Sequence, residues 1–338
     1  MKYIFFVTTY GSICNRVLPL LEQLDADITI VASTPTIFKF FDECTPYKTL
    51  LLPVQPEFFS HNPFETLYAI TGLHRFRKRL PHKNIRIYFF GDSWQLSVYS
   101  LIRKLSKHGY VHQFISTTDA SPEKELKGFK YKCASILIKL FTGVDTVICR
   151  ENDISYIKLS PKFYKKNKVI KHIDEVEPLQ PKNKYTKYYK FDGATILLAV
   201  EDIPSYNRVS EVEYTSVMNT IIAIIEKHQR ASNLRVKMHP NQKKTYGKLQ
   251  TLEHIPKYIP SELCVPHNWK VIIGVESYTL LHATRLTQSA IVVSLLNLLP
   301  YHDKNVSDHF ITWFKQSTDK ILFPSTYEEF EEILCNAL

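Results

Sequence analysis

At 338 residues the chain is longer than one hydrophobic core usually spans, so two domains are expected. Hydrophobic residues make up 44% and charged residues 22% of it, and no run of about 18 apolar residues occurs, which excludes a disordered chain and a transmembrane helix. The 43 Lys and Arg against 33 Asp and Glu leave a net charge of +10, which favours anionic partners: nucleic acid, an anionic membrane face, or phosphorylated substrates.

YIFFVTT (3–9) lacks a basic leader and a small-residue cleavage site and reads as a first strand, not a signal peptide. ITIVAS (28–33), IRIYFFG (85–91), VHQFIST (111–117) and DTVIC (145–149) are further expected strands, with helical patterns such as NRVLPLLEQL and WQLSVYSLIRKLSKHG between them. The stretch 174–193, DEVEPLQPKNKYTKYYKFDG, carries two prolines, no hydrophobic periodicity and a closing Asp-Gly, and reads as a break. Beyond it ATILLAV (194–200), NLRVKM (233–238), WKVIIG (269–274) and SAIVVSL (289–295) are expected strands, and 214–229 and 278–286 helices. Val/Ile-rich strands alternating with helices predict an α/β fold: two Rossmann-like halves with doubly wound parallel sheets. The expected division is a domain over 1–175, a linker over 176–193 and a domain over 194–338, the last helix being a candidate to pack back on the first domain. Ligands of such sheets bind at the carboxyl ends of strands, so a cleft between facing domains is the natural site.

Two basic runs, KFYKKNKVIKH (162–172) and PKNKYTKYYK (181–190), interleave lysine with tyrosine. That mixture suits a solvated face or peripheral contact with a membrane, and without a nucleic-acid motif no nucleic-acid partner is expected. Cys14, Cys44, Cys133, Cys149, Cys264 and Cys335 form no CxxC and no zinc spacing, which points to reduced thiols in a cytoplasmic protein and to no metal site. The nine glycines form neither GxGxxG nor a P-loop, and GxSxG is absent. DAD (25–27) has the form of a metal-holding DxD, but its place before ITIVAS reads as a helix end.

Three short motifs in the second half carry chemistry. In VKMHPN, His239 closes a strand, and Pro240 after it forces extended geometry; Lys237 shares its face of the strand. Glu262 lies in IPSEL. Ser277, just past WKVIIG, opens a helix as an N-cap, where free N–H groups can also hold phosphate.

Taken in order, KMHPN, IPSE and GVESYTLLHA resemble the C-terminal half of the bacterial sialyltransferases and polysialyltransferases of the GT-B fold, whose motifs read K-x-HP, I-P-x-E and G-x-x-S-[ST]-x-L-x-x-A. The resemblance implies a GT-B glycosyltransferase with two Rossmann-like domains. It implies that His239 contacts the phosphate of a CMP-sugar, that Glu262 accepts hydrogen bonds from ribose hydroxyls, and that Ser277 holds the phosphate together with a helix N-terminus. Where the family has Ser or Thr next, this chain has Tyr278, with Thr279 one place later. The family carries its base in a [DE]-[DE]-G motif after an N-terminal-domain strand. The matching position here is Asp119, flanked by Thr118 and Ala120, and Asp92 is the rival. The first loop offers Gly11, Ser12 and Asn15 as donor or acceptor contacts, or as an ordinary tight turn.

The expected activity is an inverting, metal-independent transfer of a nonulosonic acid, sialic acid or a relative, from a CMP-sugar to a bacterial surface glycan of capsule or lipopolysaccharide type, peripherally at the inner face of the cytoplasmic membrane. The alternatives are a GT-B enzyme with a UDP- or GDP-sugar, a polymerase with a CDP-linked donor, and a non-catalytic glycan- or nucleotide-binding protein of a capsule assembly complex.

Overall fold

A computed structural model describes residues 1–54, 63–90, 96–115, 124–126, 128–151, 154–173, 191, 193–240, 242–287 and 289–338. The chain divides into two compact units, Met1–Pro181 and Lys182–Leu338.

The first unit runs β1 (Lys2–Val7), a π-helical turn (Ile13–Val17) leading into α1 (Leu18–Gln23), β2 (Asp27–Ala32), α2 (Pro35–Cys44), β3 (Lys48–Leu51), α3 (Pro63–Arg77), β4 (Ile85–Phe90), α4 (Leu96–Leu105) and β5 (Val111–Ile115). It continues through β6 (Lys124–Glu125), α5 (Phe129–Thr142), β7 (Thr146–Glu151), β8 (Ile154–Leu159), α6 (Pro161–Lys166) and β9 (Val169–Ile173). Six strands pair in parallel in the order β3-β2-β1-β4-β5-β9. Ile4, Phe5, Phe6 and Val7 of β1 are all buried, as a central strand covered on both faces requires. On one face aromatic rings step across the strands, Phe5 on Tyr88 and Phe90 on Phe114, each pair with centroids 5.0 Å apart.

DTVIC forms a strand, β7, but not in the parallel sheet. It pairs antiparallel with β6 and β8 in a separate three-stranded sheet. DAD is not a helix end: α1 stops at Gln23, and Asp27 opens β2 with its carboxylate 3.1 Å from Lys2 Nζ.

The second unit runs β10 (Ile196–Val200), α7 (Glu211–His228), β11 (Leu234–Met238), β12 (His254–Ile255), α8 (Ser261–Cys264), β13 (Val271–Gly274), α9 (Tyr278–Leu286), β14 (Ile291–Ser294), α10 (Lys304–Ser317), β15 (Ile321–Leu322) and α11 (Tyr327–Ala337). Its sheet is again six-stranded and parallel, in the order β12-β11-β10-β13-β14-β15. In both units the first strand is central, the next two step to one side and the last three to the other, the doubly wound Rossmann order. The five residues of β10 are all buried. Helix α7 buries Tyr214, Val217, Met218, Ile221, Ile222 and Ile225, a stripe at three- and four-residue spacing, and Ser210 caps it by accepting the Glu213 N–H at 3.2 Å. The last helix, α11, packs on α7, where Glu331 takes Lys227 and His228 at 2.6 Å each.

Candidate functional site

In the second unit the strand order reverses at β10, and sheets of this order gather ligands at the carboxyl ends of the strands around such a point, here β10, β11 and β13. Three connections leave there. Glu201 follows β10, His239 and Pro240 follow β11, and Val275, Glu276 and Ser277 lead from β13 into α9. The His239 N–H donates to the Val200 carbonyl at 3.0 Å, which fixes the end of β11 beside the end of β10. The next turn closes when the Gln242 N–H donates to the His239 carbonyl at 3.0 Å. His239 is therefore both a strand-end residue and the first residue of a tight turn. The residue is partly exposed; desolvation of its ring, and then the Lys237 ammonium, hold its pKa below the usual histidine range.

Lys237 does not stand beside His239 in solvent. It is buried, and its Nζ donates to the Met238 carbonyl at 2.6 Å and reaches the Lys257 carbonyl at 3.5 Å. Burial lowers its pKa to about 8, against the opposing pull of Cys264 and Glu262. Glu262 sits in α8, its Oε2 accepting from Ser261 Oγ at 3.2 Å and its Oε1 3.5 Å from His282 Nε2 of α9. The carboxylate is thus oriented before any ligand arrives.

Ser277 N-caps α9: its Oγ accepts the Thr279 N–H at 3.3 Å and donates to Thr279 Oγ1 at 3.0 Å. Thr279 is buried and completes the cap, whereas Tyr278 points outward with its ring 5.0 Å from that of Trp313. Gly274 lets α9 start close to the sheet. A Cβ there would lie 3.2 Å from Leu280 Cδ2 and 3.4 Å from the Ala199 carbonyl oxygen, which little larger than hydrogen can occupy without a shift.

Sequence reasoning missed Glu201 and the network around Glu276. Both carboxylate oxygens of Glu201 are shielded from water and make no hydrogen bond of normal geometry. Burial raises its pKa to about 7; the neighbouring Ser277 hydroxyl and Val275 backbone pull the other way, and the Glu276 charge adds to the rise. Near neutral pH Glu201 is therefore part acid, part carboxylate. Glu276 binds Arg208 and accepts the Tyr301 hydroxyl proton at 2.8 Å. The Arg208 guanidinium lies between the rings of Tyr206 and Phe310, 5.3 Å from each centroid. A carboxylate directly after a fully apolar strand was the signal in the sequence that could have flagged Glu201.

The arrangement suits a phosphate. A helix N-terminus with a hydroxyl cap favours anions, an imidazole at the end of β11, on the other side of β10, can donate to them, and a protonated Glu201 would be a donor rather than a repelling charge. Among the described residues no three His, Cys, Asp or Glu side chains gather as a metal site, and no helix is long and apolar enough to cross a membrane.

In the first unit, the loop after β1 sits at the corresponding reversal of strand order. Ser12 Oγ donates to the Thr9 carbonyl at 2.6 Å and Asn15 Nδ2 to the Gly11 carbonyl at 3.5 Å, so both side chains are engaged within their own turn. Asp92 and Asp119 lie outside the described residues, two positions past β4 and four past β5.

No protein-family model matches the chain, and no curated protein matches it. Solved structures do. The E. coli heptosyltransferase WaaC with ADP is 12% identical with a TM-score of 0.45, over 100% of both chains. Spinosyn rhamnosyltransferase SpnG in complex with spinosyn aglycone is 11% identical with a TM-score of 0.45, over 100% of this chain and 90% of that one. The UDP-GlcNAc 2-epimerase from Neisseria meningitidis bound to UDP-GlcNAc is 13% identical with a TM-score of 0.36, over 100% of this chain and 95% of that one. Two doubly wound units, each with a six-stranded parallel sheet, give this chain a GT-B-like fold. Donor and acceptor are not defined by these matches.

Proposed function

We propose that the protein is a glycosyltransferase that moves a nonulosonic acid, sialic acid or a relative, from a CMP-sugar to a glycan acceptor with inversion at the anomeric carbon. The observation that supports the reading is that His239, at the end of β11, and the Ser277-capped start of α9, after β13, flank the end of β10 at the reversal point of the second sheet. These residues belong to the ordered motifs HP and G-x-x-S of the resemblance, with Glu262 between them in sequence.

In this mechanism the phosphate of the donor rests on the α9 N-terminus, Ser277 and His239. An acceptor hydroxyl loses its proton to Asp119, or to Asp92 as the rival base, and attacks the anomeric carbon. The bond from that carbon to the CMP oxygen breaks, and its electron pair leaves on the phosphate. The growing negative charge meets the helix N–H groups and the His239 imidazole, which donates to it. Glu262, held by Ser261 and His282, accepts the ribose hydroxyls. Because CMP leaves as a stable monoester anion, the step needs no metal in this account.

The test is nucleotide release from a panel of CMP-, UDP- and GDP-sugars without acceptor. The reading requires CMP release from a CMP-activated nonulosonic acid above every other donor. Faster release from a UDP- or GDP-sugar would replace it with the second reading, a GT-B transferase using another nucleotide sugar. That second reading is favoured by Tyr278, which stands where the motif has Ser or Thr and turns its ring toward Trp313.

A further inference from the structure

Helices α3, α4 and α5 of the first unit pack in that order and leave a groove of about 450 Å³. Basic side chains line it: His74 and Arg77 from α3, Arg103 and Lys104 from α4, Lys139 from α5 and Lys166 from α6. Lys139 is matched by Asp145 at 2.6 Å. Among the described residues no ion pair holds Arg77, Arg103, Lys104 or Lys166. Arg103 lies against Gly143, whose φ of +70° ends α5, so its guanidinium faces the negative end of that helix but no carboxylate. Crowding shows at Lys104, where burial and then the like charges of Arg103, Arg77 and Lys107 lower the pKa. Packing like charges this closely is unfavourable unless an anion joins them.

The rim of the groove is apolar. On α5, Phe129, Ile136, Leu137 and Leu140 are 86%, 57%, 52% and 73% exposed. At about 100° per residue these four fall within an arc of about 100°, with Lys132 and Lys139 along one side, Lys130 along the other and buried Ile138 opposite. Helix α5 therefore has two apolar faces, one in the core and one in solvent. Ile136 and Leu140 belong to the solvent stripe and to the groove wall at once.

We propose that this face docks on an anionic lipid bilayer, with lipid phosphates in the cationic groove and the α5 stripe in the headgroup boundary. Cations beside exposed aliphatic and aromatic side chains are the composition of an interfacial helix. The stripe separates this occupant from the others. Three of its four side chains are aliphatic and offer a nucleic acid neither stacking nor hydrogen bonds; Phe129 is the one ring. A two-fold pairing of copies would bring identical cationic grooves together. The proposal stands on residues remote in sequence from the nucleotide motifs and does not depend on the donor.

The experiment is co-sedimentation of the full chain with vesicles of phosphatidylcholine alone or mixed with phosphatidylglycerol. Binding to the mixed vesicles only is expected, with roughly a hundredfold loss for Arg77→Ala/Arg103→Ala/Lys104→Ala, since each cation near an anionic surface contributes roughly a factor of five. Ile136→Ser/Leu140→Ser, which changes only exposed side chains, should also lose most of the binding while melting like the parent, and it carries the test if the triple variant does not fold. Equal partition into both vesicle types, or parent-like binding by the serine variant, overturns the proposal. So does a dimer that the serine variant dissolves, or an RNA oligomer that binds both parent and serine variant while the mixed vesicles bind neither.

Discussion

The backbone N–H of His239 donates to the carbonyl of Val200 at 3.0 Å, and this bond ties together two of the strand ends that form the candidate site of the second unit. It holds the end of β11, where His239 stands, against the end of β10, which Glu201 follows. Ser277 then acts on both neighbours in the proposed account: it caps the helix that would hold a phosphate, and its hydroxyl favours the charged form of Glu201.

His239 should control the pH dependence of nucleotide binding on the acid side. Its pKa lies below the usual histidine range, so it is mostly neutral at pH 7. CMP affinity is expected to rise as pH falls through that pKa, because the imidazolium attracts the phosphate. In His239→Asn the rise should shrink to the part that protonation of Glu201 supplies, and turnover should fall by about a hundredfold, the scale of removing one group that stabilises a leaving charge. Calorimetric titration of CMP across pH 5–8 checks the first part; a rise undiminished in His239→Asn would move the whole effect to another group.

Ser277→Ala removes a helix cap and, in the proposed account, a phosphate contact. The cap alone is worth about 1 kcal/mol, visible as a small drop in Tm without ligand. The phosphate contact predicts an additional loss: the stabilisation by CMP should shrink as well. An equal Tm drop with and without CMP would leave Ser277 only its capping role.

Glu201 should make the fold less stable as pH rises. Its pKa is about 7 when folded and near 4.5 when unfolded, so its contribution is full below 4.5 and is lost as pH climbs through 7. Glu201→Gln removes this dependence, and at pH 8 the variant should exceed the parent by up to roughly 3 kcal/mol, the linkage value of the shift. Chemical denaturation at pH 5 and pH 8 measures it. A parent-like pH slope in the variant would show that Glu201 is ionised throughout.

Gly247 has φ +51°, and a Cβ there would meet Asn219 Oδ1 at 2.3 Å and Thr215 Cγ2 at 2.9 Å of α7. Gly247→Ala is expected to cost at least about 1 kcal/mol, from the left-handed backbone and from displacement of Asn219, which accepts the Lys248 N–H at 2.8 Å. Urea unfolding reads this out.

The parallel strands legible in the sequence are the central ones, and the missed ones share a position. β3 and β9 are the edges of the first sheet, β12 and β15 the edges of the second. A central strand such as β10, buried on both faces, must be written in Ile, Leu, Ala and Val throughout. An edge strand need not, so VIKHI of β9 lay hidden inside a run read as a basic surface, and β12 and β15 are two residues each. Helix α9 was legible to its bounds because Ser277 and the apolar spacing after it act locally. Of the candidate site residues, His239, Glu262 and Ser277 were proposed from motif order. Glu201 was not, because its importance arises from burial against Glu276 and Ser277, which are 75 and 76 positions away. Lys237 was legible as sharing a strand face with His239, but not as buried and turned onto the carbonyls of Met238 and Lys257.

The base is a separate matter from the phosphate site. Asp119→Asn should abolish transfer while leaving CMP affinity unchanged, and Asp92→Asn should leave transfer near the parent rate. The reverse pattern would make Asp92 the base.

The most direct test of the central claim is a crystal structure with CMP bound. The account predicts the CMP phosphate within hydrogen-bond distance of the His239 ring, of Ser277 Oγ and of the first N–H groups of α9, with the ribose hydroxyls on Glu262. CMP bound with its phosphate away from both His239 and Ser277 would contradict it.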